Sequence, residues 1–211
     1  MNFLKSVIKL VYNPKSSFED LKTEPSIKRS FALYIFLYII IVLIQWGLIS
    51  KGVKSTALEQ NIDVAGSKLF FVMFSSLISS LLVLVSTPLI KGFFVQAIIQ
   101  LFKVQKSLKL TIAVITRSYF VVLLGELILT PAKLFFENSS FKLSLNLFFK
   151  SPNVSSPIFS VLAMLDLFTI WYLFLSIYGL IKVHNIKLSE ASISILAPFF
   201  ILLATIFIPV N

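Results

Sequence analysis

The chain has 211 residues, of which 57% are hydrophobic and 13% charged, with a mean hydropathy of +0.95. A soluble domain carries about 25% charged residues, so an ordinary water-soluble fold is excluded. The absence of Cys excludes disulfides, thiol catalysis and thiolate metal sites. The net charge of +10 is assigned to lipid phosphates and not to nucleic acid, since most Lys residues flank apolar stretches.

Residues 1–29 form a basic amphipathic segment on the cytoplasmic side. Phe3, Leu4, Val7, Ile8 and Val11 recur at helical spacing, with Lys5 and Lys9 off that stripe, as in an interfacial helix. Lys5 and Lys9 interrupt the apolar run and Asn13-Pro14 follows it, so no cleavable signal is read. Ser16 and Glu19 read as a capping box for a short helix with Phe18 and Leu21 on its apolar side. Pro25 stops that helix and Ser26 caps the next. The segment is expected to anchor at the membrane surface, with a docking element for a partner as the alternative.

Residues 30–211 are expected to form an all-α, polytopic bundle of five transmembrane helices. The spans are 31–50, 69–90, 110–130, 158–181 and 191–210. Each is near the roughly 20 residues that a hydrocarbon core of about 30 Å requires. The second connection carries Lys91, Lys103, Lys106 and Lys109, and the fourth Lys182 and Lys187. With the N-terminal segment, these hold twice the Lys and Arg of the opposite side, which places the N-terminus in the cytoplasm and the C-terminus outside. A helical stripe from Phe93 to Leu101 extends the second helix towards the interface. In the outer connection, 131–157, Phe141, Leu143, Leu145 and Leu147 alternate with polar residues in a strand-like period of two. Such a segment belongs at the interface or over the bundle mouth. Asn138 and Asn153 begin glycosylation-type triplets.

Ionisable groups within spans are the first candidates for function. Arg117 is expected to snorkel to the cytoplasmic phosphates, with a substrate clamp as the alternative. Glu126, nine residues on, faces the other way, and Asp166 enters at a similar depth from the outer side. Two such carboxylates either share a proton or cation, or satisfy themselves locally at the outer interface. Asp166, Thr169, Tyr172, Ser176 and Gly179 share one helical face, with Trp171 off it. Thr111, Ser118 and Gly125 repeat every seven residues, and Ser75, Ser79 and Ser86 cluster on the second span. Spans two, three and four are therefore expected to pack through these small-residue faces. Pro88 and Pro198 read as kinks, Ser189-Glu190 as a helix cap, and His184 as a solvated turn residue. No metalloprotease, nucleotide-binding or nucleophile-elbow motif occurs, and no cofactor, metal site or enzymatic activity is expected.

The stretch Tyr12-Asn13-Pro14-Lys15-Ser16-Ser17-Phe18-Glu19-Asp20-Leu21-Lys22 resembles the opening of Yip domain proteins. Lys91-Gly92-Phe93-Phe94 through Leu124-Gly125 is similar to that family's middle. Leu165-Asp166-Leu167-Phe168-Thr169-Ile170-Trp171, continuing to Tyr178-Gly179-Leu180, resembles its Asp-x-Phe-x-x-Trp…Gly-Leu fourth helix. The resemblance implies a five-helix membrane domain with a cytoplasmic N-terminus, and structural roles for Asp166, Trp171 and Gly179. Eukaryotic relatives bind prenylated Rab-type GTPases. This chain lacks their long N-terminal region and Asp-Leu-Tyr-Gly-Pro-like segment, which argues against GTPase binding and for the prokaryotic-type branch in a cell membrane.

The function expected from these features is a non-enzymatic membrane-organising or partner-binding scaffold. Its partners would be anionic lipids on the cytoplasmic face, a protein partner or a second copy of itself. The alternative is a small transporter or permease subunit using Glu126 and Asp166.

Overall fold

The computed structural model describes residues 9–23, 27–59, 66–102, 107–138, 141–148 and 157–205. The apolar stripe over residues 3–8, the stop at Pro25, the Ser26 cap, Lys103 and Lys106, the full glycosylation-type triplets and residues 206–210 of the last span lie outside them. Helical residues 9–12 lead into α1 (Pro14–Thr23). Then follow α2 (Ile27–Glu59), α3 (Ser67–Leu101), α4 (Leu108–Phe135), a 3-10 turn (Leu145–Phe148), α5 (Pro157–Met164), α6 (Leu167–His184) and α7 (Leu188–Thr205). Among the described residues, four helices are long and apolar enough to cross a membrane, over Ser30–Thr56, Lys68–Leu101, Leu108–Phe135 and Leu167–His184. The fifth, Leu188–Ile201, is apolar but shorter. The all-α, polytopic class stands, with four long apolar helices and a shorter one among the described residues.

α4 is the hub, touching α1, α2, α3 and α6. Every residue from Thr111 to Thr116 is buried, which a helix achieves only when neighbours surround it. The small-residue face read on this helix lies inside, with Thr111, Ser118 and Gly125 all buried. Gly125 is needed for close approach: a Cβ there would lie 2.3 Å from Cγ of Phe168 on α6. The inward stripe of α6 also holds, with Tyr172, Ser176 and Gly179 buried.

The serine cluster of α3 does not pack as expected. Ser75 and Ser79 are exposed, and Ser86 is only half-buried. The hydroxyl of Ser75 donates to the Val72 carbonyl at 2.9 Å, and that of Ser86 to the Leu82 carbonyl at 2.7 Å. A serine that bonds to its own helix needs no neighbour, so it does not mark an interface. α3 instead meets the bundle through Pro88, Gly92, Val95, Gln96 and Ile99, all buried and nearer its C-terminal end.

The expected fourth span, 158–181, is two helices. Asp166 sits at the junction with extended backbone, φ −85° and ψ 161°. Its carboxylate accepts from the backbone N–H groups of Phe168 at 2.9 Å and Thr169 at 2.8 Å, and from the Thr169 hydroxyl at 2.7 Å. This is an N-cap, which starts α6 anew and satisfies donors that hydrocarbon cannot. Apolar periodicity runs through the junction because both helices are apolar; only the acidic cap signals it. The alternating outer segment contributes one antiparallel bridge, Ser144 to Asp166. Leu145 N–H donates to the Leu165 carbonyl and Leu167 N–H to the Leu143 carbonyl, each at 3.1 Å. The chain then turns into the 3-10 segment instead of continuing as a strand.

Other ends follow the same logic. Asn13, not Ser16, caps α1: its side-chain oxygen accepts from Ser16 N–H at 3.1 Å, and Pro14 takes the first helical position. Asn185 ends α6 in the left-handed region at φ 52°. Glu190 reaches back to Lys187 N–H at 2.9 Å, so the cap of α7 uses Glu190 without Ser189.

Candidate functional site: the docked N-terminal helix and the polar groups of the bundle

Before α2 begins, α1 docks against α4 and α6. Ser17, Phe18 and Leu21 are buried there, so this helix is packed into the bundle and does not merely rest on a membrane surface. Gly179 makes the room: a Cβ on it would meet Phe18 Cε1 and Val114 Cγ1, each at 2.7 Å. The Arg117 guanidinium donates to the Ser17 backbone carbonyl, tying α4 to α1. Lys9 pairs with Asp20 at 2.6 Å, which fastens helical residues 9–12 to α1. Lys22 donates to the Asn185 side chain at 3.3 Å, beyond the end of α6. Lys15, Lys22, Lys28, Lys109 and Lys187 are exposed around this end of the bundle.

Arg117 therefore binds protein backbone, where the sequence suggested lipid phosphate. Glu126 forms an ion pair with Lys133 on its own helix, and the Lys133 side chain is only 4% exposed. Gln45 of α2 donates to the Thr130 hydroxyl at 2.7 Å, and Thr130 donates to the Glu126 carbonyl at 2.8 Å. Asp166 is occupied as the cap of α6. Each carboxylate is thus engaged locally, Glu126 with Lys133 and Asp166 with the first N–H groups of α6. Trp171 is half-buried against the core, off the inward stripe. Gly179 is the contact point for α1.

Two polar positions carry structure that the sequence reading missed. His184 is 1% exposed, not in a solvated turn. Its Nε2 lies 2.9 Å from the Thr111 hydroxyl, which donates to Gln96 Oε1 at 2.6 Å, joining α6, α4 and α3. The signal was present: eight residues past Ser176, just over two turns, puts His184 on the same inward face. Lys91 lies inside α3, not in a connection, with its ammonium 4.8 Å and 5.0 Å from the ring centres of Tyr119 and Tyr172. The stripe continuing to Leu101 already implied that the helix runs through it.

At the opposite end, Lys51 pairs with Glu137 at 2.8 Å, both well exposed. The hydrogen bond and charge of Lys51 hold the Glu137 carboxyl below its ordinary range. No cluster of His, Asp and Glu able to hold a metal occurs among the described residues.

A model of the Yip1 domain matches residues 8–208, which takes in every packed element described above. Neither the curated proteins nor the solved structures compared with the chain give a match. The family consists generally of non-enzymatic membrane proteins. With nearly its whole length matched and its helices long and apolar enough to span a bilayer, the chain belongs to the Yip1 domain family of multi-pass integral membrane proteins.

Proposed function

We propose that this protein is a non-enzymatic scaffold that organises membrane or binds a partner through a basic cytoplasmic end. The observation that carries the reading is the docked α1 helix. With Phe18 seated on Gly179 and Arg117 bonded to Ser17, α1 is packed into the bundle and presents exposed Lys15 and Lys22 at the end that also carries exposed Lys109 and Lys187. A basic surface next to a bilayer attracts anionic lipid heads or an acidic protein face. In this reading the N-terminus is cytoplasmic and the C-terminus outside, following the Lys and Arg bias. The prokaryotic-type branch and its cell membrane belong to the same reading, on the motif departure in the sequence; GTPase binding does not. The alternative, a small transporter or permease subunit using Glu126 and Asp166, would draw on carboxylates that already have local partners, Glu126 with Lys133 and Asp166 as the cap of α6.

The experiment is crosslinking and copurification in mild detergent, with mass spectrometry of bound lipids and proteins. The wild type is compared with a Lys15→Glu, Lys22→Glu double variant. A reproducible anionic lipid or protein that is lost in the variant supports the scaffold. Recovery of the same set from both proteins, or of nothing reproducible from either, removes it.

A further inference from the structure

Lys91 is ten residues before Leu101, about 15 Å of helical rise from the end of α3. Tyr119 and Tyr172 lie about 16 and 18 Å from the ends of α4 and α6 on the same side of the bundle. The ammonium is thus deep within three helices, where a charge must find partners. It donates to the Tyr119 hydroxyl at 3.2 Å and lies over two ring faces. Among the described residues no carboxylate reaches it, in contrast to Lys133, which Glu126 neutralises. An ammonium has three donors, and two of these have no acceptor among the described residues.

A second group nearby is also unsatisfied. The Tyr34 hydroxyl, on α2, is fully buried and has no hydrogen-bond partner. Its ring meets Tyr119 edge-on at 6.0 Å, and the Tyr119 ring lies 4.7 Å from that of Tyr172. Two donors of the Lys91 ammonium and the hydroxyl of Tyr34 therefore lack an acceptor among the described residues, and both side chains pack against the Tyr119 ring. On the bilayer side of α3, Ile90, Phe93 and Phe94 are exposed and Lys91 itself is half-buried.

We propose that Lys91 and the hydroxyls of Tyr34 and Tyr119 form an intramembrane site for one phosphate group, carried by an anionic lipid or free. Negative oxygens supply the missing counter-charge to Lys91 and accept from the phenols in the same act. The two tyrosine faces hold the ammonium in place meanwhile. This site is inside the bundle and does not depend on the basic end described above.

The test uses the full chain in dodecylmaltoside micelles, titrated with phosphatidylglycerol, phosphatidylcholine or sodium phosphate at constant ionic strength. Thermal unfolding and native mass spectrometry give the response. Phosphatidylglycerol, but not phosphatidylcholine, is expected to raise the melting temperature and to survive as a bound lipid. Lys91→Met should weaken that response about tenfold or more, and Lys91→Arg should retain most of it. Tyr34→Phe, which changes one oxygen, should weaken it about threefold and carries the test if Lys91→Met does not fold. The same Lys91-dependent response to sodium phosphate alone supports the site with a free anion as its source. An equal response to phosphatidylcholine, or a phosphatidylglycerol response that is unchanged in both the Lys91→Met and Tyr34→Phe variants, overturns it.

Discussion

α3 and α4 are neighbours of similar apolar character that do opposite jobs. α3 is slightly the more apolar along its spanning stretch, yet only 6% of that stretch is buried, against 61% in α4. The slightly less apolar helix is the core. Hydropathy identifies what a bilayer accepts, whereas burial inside the bundle depends on which residues let other helices come close. On α4 those residues are Gly125 and the Thr and Ser positions facing α6 and α3. On α3 the serines bond to their own backbone and the large side chains Phe70, Phe71, Leu82 and Val83 remain exposed.

The sharpest way to break this contrast is to put bulk on each helix. Gly125→Leu drives a side chain into the Phe168 ring and should destabilise the protein by about 3 kcal/mol in a detergent melt. Ser79→Leu on α3 should change stability by less than about 0.5 kcal/mol. Gly179→Val tests the docking of α1 in the same way. A loss of about 2 kcal/mol is expected, together with faster proteolytic cleavage within 14–23, because Phe18 must move. Unchanged cleavage would show that α1 does not depend on that contact.

Smaller effects separate capping from packing. Asp166→Ala removes the N-cap of α6 and should cost about 1 kcal/mol, while Asp166→Asn, which can still accept, should cost less. A loss of ion or proton flux on Asp166→Asn with stability intact would revive a transport role. The smallest effect belongs to the exposed Lys51–Glu137 pair. The folded-state carboxyl titrates below its unfolded value of about 4.3, so any stabilisation is present above that pH and fades as the pH falls through the folded value. Lys51→Met should raise the Glu137 titration point, followed by NMR, and leave the melting temperature unchanged.

Much of the fold is legible in the sequence because a bilayer demands long apolar helices, and composition reports them directly. The inward faces of α4 and α6 were legible too, since Thr111, Ser118, Gly125 and the Tyr172-to-Gly179 stripe recur at helical spacing. The break at Asp166 was not, because an acidic cap between two apolar helices looks like an acidic residue within one. The docking of α1 depends on Gly179 meeting Phe18 from a distant part of the chain, which no local pattern encodes. Charge and polarity at Lys91 and His184 suggest loops, because such residues usually mark the ends of spans. Both helices in fact continue, and the polar groups find partners on neighbouring helices.

The central claim is that α4 is enclosed and α3 faces lipid. The chain has no native Cys, so single-cysteine variants report one position each. Spin labels at Val121→Cys on α4 and Leu82→Cys on α3, in proteoliposomes, can be read for accessibility to dissolved oxygen, which concentrates in lipid. The packing described here predicts high accessibility at position 82 and low accessibility at position 121. Equal accessibility at the two positions, or the reverse order, would contradict it.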